Sequence, residues 1–279
     1  MEPLVDTAWL AANLANVVIF DATYYLPGEG LNAETEYQKA HIPGARLFSV
    51  DEVADPDTSL PHMVPSAGRF AKLMGAHGVS NASTVVFYDQ KGLFSAARGW
   101  WLFGLFGHDA VAVLDGGLPK WSNEGRPLIA GPQPEVAPVS FTPHFRATWL
   151  RGLGDMQQNL QTQAEIVLDA RAAARFAGRV AEPRPGLASG HIPGAKNLPF
   201  GDVLTLAQTM LSPEQLRTKF AALGVGPNSR VVTSCGSGVT ATVLSLALAR
   251  AGLPVGAVYD GSWTEWGLDP STPKETHSP

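Results

Sequence analysis

The chain is one unit written twice, and that constrains its fold more than any other feature. The pentapeptide His41-Ile42-Pro43-Gly44-Ala45 returns as His191-Ile192-Pro193-Gly194-Ala195, an offset of 150 residues. Upstream of each lies a short β-like run ending in Asp-Ala: Val17-Val18-Ile19-Phe20-Asp21-Ala22 and Ile166-Val167-Leu168-Asp169-Ala170. Downstream come Thr84-Val85-Val86-Phe87-Tyr88-Asp89 and Arg230-Val231-Val232-Thr233-Ser234-Cys235. Then follow Val111-Ala112-Val113-Leu114-Asp115-Gly116-Gly117 and Ala257-Val258-Tyr259-Asp260-Gly261, each succeeded by a tryptophan, Trp121 or Trp263. Four landmarks in one order mark an internal duplication. Within each copy the β runs alternate with helical stretches, here read as Ala67 to His77, Ser95 to Phe106, Pro213 to Leu223 and Thr240 to Ala251. That alternation predicts an α/β fold: two tandem domains, each a mainly parallel sheet with helices on both faces.

The stretch from Pro127 to Pro143 holds five prolines and one charged residue, Glu135. Proline at that density blocks both helices and sheet ladders, so an extended connector is expected. The resulting division is 1–126 for the first domain, 127–146 for the linker and 147–279 for the second domain. The tail after Leu268, with Pro270, Pro273 and Pro279 among polar residues, reads as loose.

With 279 residues and 45% hydrophobic content the chain can fill two cores. The net charge of -5 is modest, and no basic run points to nucleic acid. No charged segment leads into an apolar stretch at the start, and no apolar run approaches a membrane span, so a cytoplasmic protein without membrane partners is expected. The single cysteine rules out an intrachain disulfide and a cysteine-rich metal site. Neither a metal nor an organic cofactor is called for.

The two copies differ most usefully at the end of the second β run. The first offers Tyr88-Asp89-Gln90-Lys91-Gly92, and the second offers Ser234-Cys235-Gly236-Ser237-Gly238-Val239-Thr240 before a helix-forming stretch. Ligands of parallel α/β sheets bind beyond the carboxyl ends of the strands. Gly236 and Gly238 let the loop curl, and a curled loop before a helix start turns several N–H groups toward one point. A thiolate at that point would be stabilised. An inert buried cysteine at a strand-to-helix turn is the plain alternative. A cysteine phosphatase needs arginine six residues after the nucleophile, where this chain has Ala241. A P-loop needs Gly-Lys-Ser/Thr after the glycines, which is absent.

These features together resemble the two-domain rhodanese family over roughly Leu4 to Leu268: the tandem repeat, the two His-Ile-Pro-Gly-Ala segments, the Cys235–Thr240 loop and Tyr259-Asp260-Gly261-Ser262-Trp263. The resemblance implies a silent first domain, with Asp89 in the place of the cysteine, and a catalytic second domain. The neutral Gly236-Ser237-Gly238 segment is similar to the 3-mercaptopyruvate sulfurtransferase branch, whereas thiosulfate-using members carry basic residues there. The branch's Arg-Phe pair and Glu-Pro-Arg segment fall on Arg175-Phe176 and Glu182-Pro183-Arg184. By resemblance Arg175 and Arg184 hold the donor's carboxylate and keto oxygen, and guanidinium forks suit such planar oxygens. The branch's Asp–His–Ser relay falls on Asp51, His62 and Ser237, which would put the site between domains. His41 and His191 sit in the repeated turn of both copies and read as structural.

The reaction implied is transfer of sulfur from 3-mercaptopyruvate, through a persulfide on Cys235, to an acceptor thiol such as thioredoxin or to cyanide, with release of pyruvate. Gly236, Gly238, Val239 and Thr240 would form the cradle. A thiosulfate:cyanide sulfurtransferase is the alternative within the class, and a non-catalytic rhodanese-fold binding protein is the alternative outside it. A monomer is expected.

Overall fold

The computed structural model describes residues 1–26 and 28–276. The chain divides into two compact units. The first comprises Met1–Pro56, Val64–Arg146 and Leu206–Met210; the second comprises Asp57–Met63, Ala147–Thr205 and Leu211 onward. The short segments 57–63 and 206–210 therefore belong with the opposite half of the sequence, which no local pattern announces.

The first unit carries a five-stranded sheet of β1 (Leu4–Val5), β2 (Val18–Asp21), β3 (Arg46–Leu47), β4 (Val85–Tyr88) and β5 (Val111–Leu114). Their order is β1-β5-β4-β2-β3 and every pairing is parallel. Both faces are covered, as the strand composition requires. Ile19, Val86, Tyr88, Ala112 and Leu114 point to one side, against Leu10, Tyr37 and Trp121 from three helices. The alternate positions Phe20 and Phe87 stack at 5.3 Å on the other side, and Phe87 meets Phe103 at 5.4 Å. Phe103 and Phe70 come from the helices Ala96–Leu105 and Ala67–Ala76. The period of two along each strand thus delivers two apolar faces.

The second unit repeats this plan with β6 (Leu150–Arg151), β7 (Ile166–Asp169), β8 (Lys196–Asn197), β9 (Val231–Ser234) and β10 (Ala257–Tyr259). The order β6-β10-β9-β7-β8 matches the first sheet strand for strand, again all parallel. Val167, Val232 and Tyr259 pack with Trp263 and Trp266 on one face. On the other, Thr233 Oγ1 lies 3.1 Å from Ser245 Oγ of the helix Ala241–Arg250. The expected α/β class with helices on both faces is what forms.

The proline-rich stretch 127–146 has neither helix nor ladder strand, yet it is fastened along the first unit. Ile129 bridges His41, Val139 N donates to Gly75 O at 2.9 Å, and His144 N donates to Phe106 O at 2.7 Å. Phe141 is buried beside Phe70. Residues 269–276 correct the expectation of a loose tail. Thr272 Oγ1 donates to Trp266 O at 2.6 Å, and Glu275 exchanges two backbone hydrogen bonds with His191. Pro279, the last proline of that expected tail, lies outside the described residues.

The two repeated histidines mark where the proline-rich stretch and the tail are tied down. His41 stacks on Tyr37 and its Nδ1 lies 2.8 Å from Tyr37 O. His191 stacks on Phe176 and its Nδ1 lies 2.8 Å from Phe176 O. Each histidine backbone then receives the segment that follows the last helix of its unit, Ile129 in one and Glu275 in the other.

Asp89 shows what the loop after the second β run does in the first unit. Its carboxylate is wholly buried and accepts four backbone N–H groups, from Lys91, Phe94, Ser95 and Ala96, at 2.8 to 2.9 Å. Asp89→Ala strands those donors, and charge-assisted hydrogen bonds of this kind carry about 1.5–3 kcal/mol each before relaxation. A net loss of about 2–4 kcal/mol in stability is expected. Urea denaturation measures it, and an unmoved midpoint would show that the carboxylate is not what satisfies this loop.

Candidate active site

Cys235 follows directly on β9, and its residue is 2% exposed. Its backbone is gripped from three directions within the second unit. Cys235 N donates to Ser262 Oγ at 3.1 Å, and Cys235 O accepts from Trp263 N at 3.0 Å. Gly236 O accepts both Thr264 N at 2.9 Å and Thr264 Oγ1 at 2.6 Å. The loop then rises through Gly238, at φ 75°, and enters the ten-residue helix at Ala241. Val239 is buried, and its carbonyl accepts Thr242 Oγ1 at 2.6 Å. Thr240 is the helix N-cap and makes no side-chain cap bond. The positive end of the helix dipole is thereby aimed at the loop.

The same strand–loop–helix occurs in the first unit, where Leu118 N donates to Asp89 O at 3.0 Å, as Trp263 N does to Cys235 O. There the converging N–H groups are occupied by the Asp89 carboxylate. The matching loop of the second unit presents a thiol where the first presents an anion.

Ser262 is the residue that reading the sequence missed. It occupies the left-handed region at φ 50°, as Gly117 does in the first unit at φ 52°. A side chain there costs about 1–2 kcal/mol. The serine stays because its Oγ accepts the Cys235 N–H and donates to Tyr259 O at 2.8 Å. The available signal was the aligned difference between Asp115-Gly116-Gly117 and Asp260-Gly261-Ser262.

Ser237 and His62 do meet. Ser237 Oγ lies 2.9 Å from His62 Nδ1, and both residues are buried, at 6% and 4% exposure. Which atom donates follows the imidazole tautomer. His62 adopts φ 62°, an uncommon backbone for a residue with a side chain, on the segment 57–63 that belongs to the second unit. Asp51 lies instead in the first unit, in the helix Val50–Val53, and lines a polar cavity of about 500 Å³ there.

Arg175 and Arg184 both reach the cysteine loop. A Cβ placed on Gly236 would lie 3.2 Å from Arg175 Nη2 and 4.0 Å from Arg184 Nη1. Glycine at 236 therefore keeps space beneath two guanidinium groups. Arg175 is held by Glu182, with Nη2 on Oε2 and Nε on Oε1 at 3.3 Å. Glu182 Oε1 also accepts Arg171 Nη1 at 2.9 Å, and Arg171 forks onto Asp169 at 2.6 to 3.1 Å. Although burial pulls it down, Asp169 and Glu182 hold the Arg171 guanidinium above its ordinary pKa. Among the described residues no group of three or more His, Cys, Asp or Glu side chains could hold a metal ion. No described helix is long and apolar enough to cross a membrane.

The family model of the rhodanese-like domain matches this chain twice, over residues 6–124 and 153–269. The chain belongs to the rhodanese family. Rhodanese-family relatives include thiosulfate/3-mercaptopyruvate sulfurtransferase 2 of Arabidopsis thaliana, 41% identical over 98% of this chain and 86% of the relative. The human 3-mercaptopyruvate sulfurtransferase is 40% identical over 94% of this chain and 91% of its own length. The crystal structure of the 3-mercaptopyruvate sulfurtransferase SseA from Escherichia coli superposes with a TM-score of 0.84 at 35% identity, over 94% of this chain and 99% of that one. At the level of reaction class this member of the rhodanese family is a sulfurtransferase. The donor is a finer question, because the Arabidopsis relative's name carries both thiosulfate and 3-mercaptopyruvate.

Proposed function

We propose that this member of the rhodanese family takes sulfur from 3-mercaptopyruvate and passes it to a thiol or to cyanide, releasing pyruvate. One observation carries the donor choice. Two guanidinium groups, Arg175 and Arg184, approach the glycine next to Cys235, while the loop itself bears no charge. A monoanionic 2-oxo acid offers planar oxygens that two forks can orient. A dianion such as thiosulfate gains more from positive charge in the loop, and Ser237 occupies the place that Lys91 holds in the first unit.

The Cys235 thiolate attacks the donor's sulfur. The carbon–sulfur bond breaks, and its electron pair stays on the carbon as the enolate of pyruvate. The donor's thiol proton goes to that carbon, so the products are a Cys235 persulfide anion and pyruvate. Arg175 and Arg184 stabilise charge on the donor's oxygens. Ser237, hydrogen-bonded to His62, is placed to relay the proton. Asp51 as third member of the relay rests on the family pattern. The loop N–H groups and the helix start stabilise the persulfide anion, as the equivalent loop stabilises the Asp89 carboxylate. An acceptor thiolate then attacks the outer sulfur, leaving as a persulfide and restoring the Cys235 thiolate. Reduced thioredoxin is one acceptor of the required chemistry, and the monomer suffices for every step.

The test is kcat/KM with each donor. Mercaptopyruvate is expected to exceed thiosulfate by about 10-fold to 100-fold, the worth of one oriented charge-assisted bond. A preference for thiosulfate overturns the donor assignment. Ser237→Lys is expected to move the ratio toward thiosulfate by about 10-fold; an unchanged ratio would mean the neutral loop does not select the donor.

His62→Ala tests the relay separately. General acid–base help of this kind contributes about 10²-fold or more to kcat. A lowered kcat for mercaptopyruvate with KM little changed is the expected result, and a normal kcat removes His62 from the mechanism.

A further inference from the structure

The Arg175 guanidinium does not stand alone: it ends a buried chain of alternating charges, Asp169, Arg171, Glu182 and Arg175. The side chains of Asp169, Arg171 and Glu182 are 2%, 1% and 1% exposed, whereas that of Arg175 is 22% exposed. The most exposed member, Arg175, is the one whose guanidinium lies at Gly236. Each inner member is held on both sides. Arg171 is forked onto Asp169, donates to Gly190 O at 2.8 Å and lies 4.4 Å from the Trp263 ring. Glu182 spends Oε1 on Arg171 Nη1 and Oε2 on Arg175 Nη2. The chain runs from the tip of β7 to the rim of the cysteine loop, and its four charges cancel.

We propose that Glu182 is a positioning and specificity-determining residue: it sets the plane of the Arg175 guanidinium and balances its charge, so that the loop favours an orientable monoanionic 2-oxo acid over a compact dianion. This rests on the reading of Arg175 as a donor-binding residue. The physical argument has two parts that point the same way. A carboxylate on Nε and one Nη fixes the arginine plane, and bidentate recognition of a planar donor depends on that plane. A buried negative charge next to Arg175 also lowers the positive potential at Gly236, and a doubly charged donor loses more by this than a singly charged one. Removing the charge of Glu182 loosens the fork and raises the potential together.

The experiment compares kcat and KM for mercaptopyruvate and thiosulfate in the wild type, Glu182→Gln, Glu182→Asp, Arg175→Gln and the double variant Arg175→Gln/Glu182→Gln. Glu182→Gln is expected to lower the mercaptopyruvate-to-thiosulfate ratio of kcat/KM by about 10-fold, mostly through KM for mercaptopyruvate. Glu182→Asp keeps the charge but shortens the fork, and is expected to lower it by only about 3-fold. In the Arg175→Gln background the second substitution is expected to leave the ratio within about 2-fold. A structural ion pair would lower kcat with both donors alike, and that result, or an equal effect with and without Arg175, overturns the proposal. If Glu182→Gln does not fold, Glu182→Asp alone decides, and a wild-type ratio in that variant overturns it. A wild type that does not turn over mercaptopyruvate sinks the donor reading instead. The coupling is then judged on KM for thiosulfate, where an effect of Glu182→Gln that persists without Arg175 overturns it.

Discussion

Incubated with 3-mercaptopyruvate and no acceptor, the protein is expected to gain about 32 Da on the peptide that carries Cys235, the mass of one sulfur. The Cys235→Ser variant is expected to gain nothing and to lose at least about 10⁴-fold in turnover, the scale on which enzymes lose activity with their nucleophile. The reason is chemical as well as geometric. Serine preserves the hydrogen bonds of the backbone at 235, namely N to Ser262 Oγ and O from Trp263 N, so the loop keeps its shape. It lacks only a polarisable sulfur able to accept another sulfur. Intact-mass and peptide-mapping measurements read the result directly. A wild type without the adduct sinks the persulfide mechanism. A Cys235→Ser variant with full biological activity would favour a rhodanese-fold binding protein instead, since binding does not require the sulfur.

The second large effect is expected at Arg184. Arg184→Gly is expected to lower kcat/KM for mercaptopyruvate by about 10²-fold to 10⁴-fold, since two charge-assisted hydrogen bonds carry about 1.5–3 kcal/mol each. The change is expected mainly in KM, the signature of a group that holds the donor before and during the reaction. Thiosulfate turnover is expected to fall by less than about 10-fold, because a dianion without a carboxylate depends on charge more than on a second fork. Arg184 Nη1 and Arg175 Nη2 both lie at Gly236, so the two substitutions are expected to be non-additive. Steady-state kinetics with both donors provides the test, and equal losses with the two donors would mean that Arg184 acts on the loop and not on the donor.

Much of this fold is legible along the chain because its information is local. The strands β2, β4, β5, β7, β9 and β10 fall within the β runs that precede or follow the repeated landmarks. The helices at 67–76, 96–105, 213–222 and 241–250 lie within one residue of their expected ends. Buried parallel strands are continuous apolar runs, and helix ends are marked by glycines such as Gly78 and Gly252, at φ 67° and 72°. The two-residue strands β1, β3, β6 and β8 have no such signature, since two residues cannot show a period. The tail after Leu268 reads as loose because proline and polar residues usually are, whereas Trp266 Nε1 donates to Pro273 O at 2.8 Å and the segment closes on His191.

By itself the sequence determined the duplication, the α/β class, the single thiol at a strand tip and the pair of arginines nine residues apart, because each is a pattern of residue types within one segment. Tertiary structure decided what surrounds that thiol. It brought Ser262 under the Cys235 N–H, His62 onto Ser237 across 175 residues, and both guanidinium groups to Gly236. It also turned Glu182 from a letter in a motif into the buried carboxylate that holds Arg175. Direction and distance between segments far apart in the chain are set by how helices pack on a twisted sheet, and no local spacing encodes them.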